Sequence, residues 1–107
     1  MTRPPLNFQI HEGSTDDFLR LSLVGELDLS SAPTLRRRLA PLRARNFPVR
    51  LDLSKLEFID SVGIHLLIRT VGEARMKGWP FQIEPDVAPQ AMRLFRLFQL
   101  DHFVIGG

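Results

Sequence analysis

Period-two alternation through Phe18-Leu19-Arg20-Leu21-Ser22-Leu23-Val24 places Leu19, Leu21 and Leu23 on one face of a strand. A shorter alternation, Asn7-Phe8-Gln9-Ile10, predicts an edge strand before it, with the turn-forming stretch Gly13 to Asp17 between the two. Gly25-Glu26-Leu27-Asp28 reads as a loop leaving the strand. Ser30 or Ser31 then offers a helix N-cap, and Pro33 suits the first helical turn, where its missing N–H costs little. Leu35, Leu39 and Leu42 follow at i, i+4 and i+7, one buried stripe of a helix that Pro48 closes.

Val49 to Leu53 predicts the next strand, and Ser54 to Asp60 a turn. A second helix begins near Ser61, where about 100° per residue puts Ile64, Leu67, Ile68, Val71 and Ala74 on one face. Lys77 and Gly78 suit its C-terminus. Trp79 to Ile83 reads as a strand that Pro80 confines to an edge or a strand start. A third helix begins near Ala88 and carries Ala91, Leu94, Phe95 and Phe98, and His102 to Ile105 reads as a last strand. This order predicts one α/β domain over residues 1–107, with residues 1–6 a loose lead-in: a small mixed β-sheet of four to five strands flanked by helices. Val62, Leu66, Arg69 and Glu73 fall opposite the core stripe of the second helix. The Val62–Leu66 pair, one turn apart, is therefore expected to be partly exposed beside Ser61, either packing beneath the third helix or meeting a partner.

Composition narrows the function classes. At 107 residues with 44% hydrophobic content, one core is expected and disorder is excluded. The absence of cysteine removes disulfides, thiolate metal sites and thiol catalysis. No apolar run approaches the ~18 residues of a membrane span, and no apolar stretch follows Met-Thr-Arg-Pro-Pro, so a cytoplasmic domain without membrane contact is expected. The sequence pI of 9.9 overstates basicity. With neither Tyr nor Cys, little titrates between His and Lys, and the formal charge at pH 7 is only +2. The excess is local: Arg36, Arg37, Arg38, Arg43, Arg45 and Arg50 stand with no acid between Asp28 and Asp52. With a single aromatic, Phe47, among its arginines, this segment reads as a solvated helix face, and no direct nucleic-acid partner is expected.

Candidate chemistry gathers where a strand runs out into Asp60-Ser61-Val62-Gly63 and a helix opens. A helix N-terminus presents unpaired N–H groups and about half a positive charge. A phosphoryl group on Ser61 adds about −1.5 to −2 charge there, which the helix end favours and the neighbouring Asp60 opposes. Taken alone, Asp60 and Ser61 also suit an ordinary helix cap, and Asp28 an ordinary turn. A hydrolase is disfavoured: Ser61 lacks the Gly-x-Ser-x-Gly elbow. No glycine-rich loop with Lys suggests a nucleotide site, and no His or carboxylate cluster suggests a metal. No cofactor is expected.

Gly25-Glu26-Leu27-Asp28, Leu51-Asp52-Leu53-Ser54, Phe58-Ile59-Asp60-Ser61-Val62-Gly63 and a late Leu94-Phe95 helix together resemble the STAS domain family over nearly the whole chain. Within it the chain most resembles the stand-alone anti-sigma factor antagonists. The resemblance implies that Ser61 accepts phosphate from an anti-sigma factor serine kinase, that Asp28 lies near the acceptor, and that Asp60 is the second matching acid. It implies binding to that kinase through Asp28, Asp60, Ser61, Val62, Gly63, His65, Leu66 and Arg69, release on phosphorylation, and reversal by a phosphatase acting on phospho-Ser61. The family usually carries Ser or Thr where this chain has Val62. The same resemblance extends to non-phosphorylated accessory subunits of lipid-transporting ABC systems and to STAS scaffold proteins.

Overall fold

The computed structural model describes residues 7–99. In chain order the elements are β1 (Phe8–Ser14), β2 (Leu19–Leu27), α1 (Ala32–Ala44), β3 (Val49–Asp52), β4 (Leu56–Ile59), α2 (Ser61–Lys77), β5 (Phe81–Ile83) and α3 (Pro89–Leu97). The expected α/β fold is present: a mixed sheet of five strands and three helices. The strand expected at His102 to Ile105 lies outside the described residues.

β2 organises the sheet. Its residues Leu19 to Gly25 pair antiparallel with the whole of β1, from Phe8 opposite Gly25 to Ser14 opposite Leu19. Its other edge is shared, with Leu19 to Ser22 pairing parallel with β3 and Gly25 to Leu27 pairing parallel with β4. β5 extends the sheet beyond β3. The rows Leu19, Val49, Phe81 and Leu21, Leu51, Ile83 follow from these registers, and Leu21, Leu23, Leu27 and Leu51 are fully buried. The opposite rows, with Arg20, Arg50 and Gln82 or Ser22 and Asp52, are polar. A side-chain period of two thus gives the sheet one apolar face for the helices and one solvated face.

β5 begins at Phe81 rather than Trp79, and three larger differences from the sequence pattern bear on the sheet. β1 reaches Ser14 instead of stopping at Ile10, because pairing with β2 holds His11 to Ser14 although all four are exposed. The Gly25 to Leu27 stretch is strand, not loop. Gly25 carries a φ of +99°, and a Cβ there would stand 1.9 Å from the Asn7 carbonyl oxygen, so a side chain is excluded by both conformation and space. β4 was expected to be turn. Its burial runs Leu56 in, Glu57 and Phe58 out, Ile59 in, because the register with β2 shifts beside Gly25 and erases the alternation. The free side of β4 is met by α3, whose Gln90 Nε2 donates to the carbonyls of Leu56 and Glu57 at 3.3 and 3.1 Å.

The helical faces form largely as the periodicity predicts, but Ile68 is only half-buried and Phe98 is exposed just past the end of α3. Ala32, Leu35, Leu39 and Leu42 of α1 are buried, as are Ile64, Leu67, Val71 and Ala74 of α2. Leu66 is buried as well, at 7% exposure, and so is Thr70. The expectation that Leu66 stands partly exposed is therefore corrected. α2 packs against α1 as well as against the sheet, so its buried sector is wider than one stripe.

Candidate functional site

The carboxyl ends of β2 and β4 deliver two loops to one end of the sheet. The first, after Leu27, is built on Asp28. Its Oδ1 accepts from the Ser30 N–H at 3.0 Å, the Ser30 hydroxyl at 2.8 Å and the Ser31 N–H at 3.1 Å. These bonds, led by the Ser30 hydroxyl, hold the Asp28 carboxyl below the usual carboxylate range despite some desolvation. Ser31 is fully buried; its hydroxyl donates to the Glu26 carbonyl at 2.7 Å and accepts from the Asp28 N–H at 2.8 Å. No side chain caps α1, whose N-cap is Ser31; the Asp28 carboxylate instead fixes the turn before it, while the Asp28 carbonyl accepts from the Ala32 N–H at 2.8 Å.

The second loop turns on Asp60, the N-cap of α2, whose extended backbone (φ −104°, ψ −176°) aims its side chain back over the first turn. Oδ1 accepts from the Gly63 N–H at 2.9 Å, while Oδ2 accepts from the Leu29 N–H at 3.2 Å. The Asp60 N–H donates to the Leu27 carbonyl at 3.2 Å. One carboxylate therefore caps α2 and ties it to the Asp28 loop. Ser61, the first residue of α2, is exposed, and its hydroxyl has no hydrogen-bond partner among the described residues.

Asp28, Asp60 and Ser61 are thereby brought to one rim. The other expected site residues divide. Val62 is half-buried against the core. His65 is exposed and meets the ring of Phe98 edge-on, with centroids 6.3 Å apart. Arg69 is exposed two turns along α2, beside α1 rather than at the Ser61 rim. Gly63 and Leu66 are buried, so the expectation that they present surface to a partner is corrected.

Gly63 has a packing role. A Cβ on it would lie 2.7 Å from the Leu27 carbonyl oxygen and 2.8 Å from Ile59 Cγ1, so its absence lets the first turn of α2 sit down on β2 and β4. Gly→Ala inside a helix ordinarily gains about 1 kcal/mol. Here the contact with backbone wins, and Gly63→Ala is expected to cost about 1–3 kcal/mol of stability. A higher urea midpoint for Gly63→Ala than for the parent chain would contradict this packing.

The sequence reading missed two exposed apolar side chains near this rim. Leu29, 71% exposed, follows Asp28, and Phe58, 48% exposed, lies two residues before Asp60. The available signal was an apolar residue in each turn segment with no periodic partner. Among the described residues no group of His, Cys, Asp or Glu is arranged to hold a metal ion, and no helix is long and apolar enough to cross a membrane.

This arrangement has relatives. The chain is 24% identical over 99 residues to an anti-sigma-B factor antagonist of Bacillus subtilis, a match covering 92% of this chain and 90% of that protein. The crystal structure of an anti-sigma factor antagonist from Mycobacterium paratuberculosis superposes with a TM-score of 0.75 at 26% identity, covering 91% of this chain and 82% of that one. The fold is shared with the phosphorylated form of the Bacillus cell fate determinant SpoIIAA, at a TM-score of 0.69 and 19% identity, over 91% of this chain and 87% of that one. Residues 10–106 match the family model described as "Mlab, STAS domain", and the chain belongs to the STAS domain family.

Proposed function

We propose that this protein is an anti-sigma factor antagonist, a binding switch that frees a sigma factor by occupying its anti-sigma factor kinase and is turned off by phosphorylation of Ser61. The observation that carries this reading is the Ser61 hydroxyl itself: exposed and unbonded at the first position of a 17-residue helix, beside an acid whose two oxygens are held by the Leu29 and Gly63 N–H groups. The helix end favours an incoming phosphoryl group electrostatically. Asp60, with its two oxygens taken by backbone N–H groups, makes no bond to the Ser61 hydroxyl. The anti-sigma factor antagonists among its relatives support the same reading. In it, the anti-sigma factor supplies ATP and Mg²⁺ and transfers the phosphoryl group, and a separate phosphatase restores the active form.

Val62, in place of a second hydroxyl, favours an alternative: a non-phosphorylated STAS subunit of a lipid-transporting ABC system that uses the same rim. Mapping phosphorylated residues by mass spectrometry on protein isolated from its own cells separates the two. Phosphate on Ser61 is expected. A chain free of phosphate in every growth state, co-purifying with an ATPase subunit, would overturn the antagonist reading.

A further inference from the structure

A second surface lies away from the Ser61 rim. Between α1 and α2, Leu39, Ala40, Leu66 and Thr70 join Trp79 to form a groove of about 120 Å³. Its polar atoms are committed inward: the Thr70 hydroxyl donates to the Leu66 carbonyl at 2.7 Å, and Trp79 Nε1 to the Phe47 carbonyl at 2.6 Å. The floor is left effectively apolar.

The rim is cationic. α1 contains no acid along Ala32–Ala44, and it sets Arg36 and Arg43 on the groove while α2 contributes Arg69 and Glu73. Glu73 is taken by Arg43. Arg36 and Arg69, both exposed, have no ionic or hydrogen-bond partner among the described residues. With Arg43 paired, the cations left to a ligand are Arg36 on α1 and Arg69 on α2.

Size and charge decide the occupant. Sites for metabolites usually measure about 300–1,000 Å³, several times this volume, whereas one aliphatic side chain fits it. Two cations unpaired among the described residues, Arg36 on one wall and Arg69 on the other, favour a ligand with more than one anionic group. We propose that the α1–α2 groove docks an acidic amphipathic helix of a partner protein. One leucine-sized side chain sits on Leu39, Leu66 and Trp79, and carboxylates one turn to either side face Arg36 and Arg69. Arg69 is eight residues from Ser61, about 12 Å along α2, so this contact is separate from the phosphorylation switch.

Trp79 is the only tryptophan of the chain, so its emission reports on the groove directly. The probe is a capped synthetic helical peptide of Ala and Glu with a central Leu and Glu at i−4 and i+4 from it. Two controls replace Glu by Lys or the central Leu by Ala. Expected is a saturable change in Trp79 emission with a dissociation constant below about 1 mM, absent with both controls. It weakens at least tenfold in Arg36→Glu/Arg69→Glu and in the milder Arg36→Ala/Arg69→Ala, whose thermal unfolding is checked alongside. Ser61→Asp retains peptide binding, which separates this site from the proposed switch. No saturable change, equal binding of the Lys peptide, or full binding by the folded Arg36→Ala/Arg69→Ala chain would overturn the proposal. Equal saturation by free hexanoate would also overturn it, assigning the groove to small carboxylates.

Discussion

Leu66→Glu is expected to cost the free protein more than about 4 kcal/mol, a large share of the roughly 5–15 kcal/mol that holds a small domain folded. Leu66 is 7% exposed and lines the groove between α1 and α2 together with Leu39 and Trp79. Truncating a buried leucine costs about 2–5 kcal/mol through lost burial and the cavity left behind. Glutamate adds the penalty of desolvating a carboxylate. Arg69 and Arg36 at the groove rim offset part of that penalty if the new carboxylate reaches them, but the lost packing is not recovered. The melting temperature should fall by about 15 °C or more. Thermal and urea unfolding of the free chain check this. A change within about 0.5 kcal/mol, normal for a surface site, would mean that Leu66 is not core.

Leu66 also shows where a helical wheel runs out. One apolar stripe was visible in α2 because Ile64, Leu67, Ile68, Val71 and Ala74 recur at helical spacing, and all are buried except Ile68, which is half-buried. The pattern carries no information about a second packing partner, so the side facing α1 looked like solvent. β4 was hidden for a related reason: the register shift beside Gly25 leaves two outward residues between Leu56 and Ile59, and no alternation survives. The extension of β1 over His11 to Ser14 rests on hydrogen bonds to β2, not on buried side chains, so hydropathy does not record it.

At the candidate site, local chemistry was legible and long-range ties were not. Asp60 and Ser61 announce a helix start by residue type alone, and the structure puts Asp60 at the N-cap and Ser61 at the first turn. The bond from the Leu29 N–H to Asp60 joins residues 31 apart and has no sequence signature. It is also what fixes the Asp28 loop to the Ser61 turn.

Ser61→Asp is expected to weaken binding to the anti-sigma factor by roughly 30- to 1,000-fold, about 2–4 kcal/mol. The aspartate carries one negative charge, less than the −1.5 to −2 of phosphoserine. In a desolvated contact beside Asp28 and Asp60, that single charge replaces a neutral hydroxyl with a third carboxylate. Stability should be largely unaffected, since Ser61 is exposed and the first turn of a helix accommodates an acid. Ser61→Ala removes the acceptor without adding charge, so it should bind nearly as well as the parent chain and resist phosphorylation. The most direct measurement of the proposed switch titrates an anti-sigma factor partner, isolated by its binding to the parent chain, against the parent, Ser61→Ala and Ser61→Asp proteins. The switch predicts near-equal affinity for the first two and the stated loss for the third. Equal affinity for all three would contradict it.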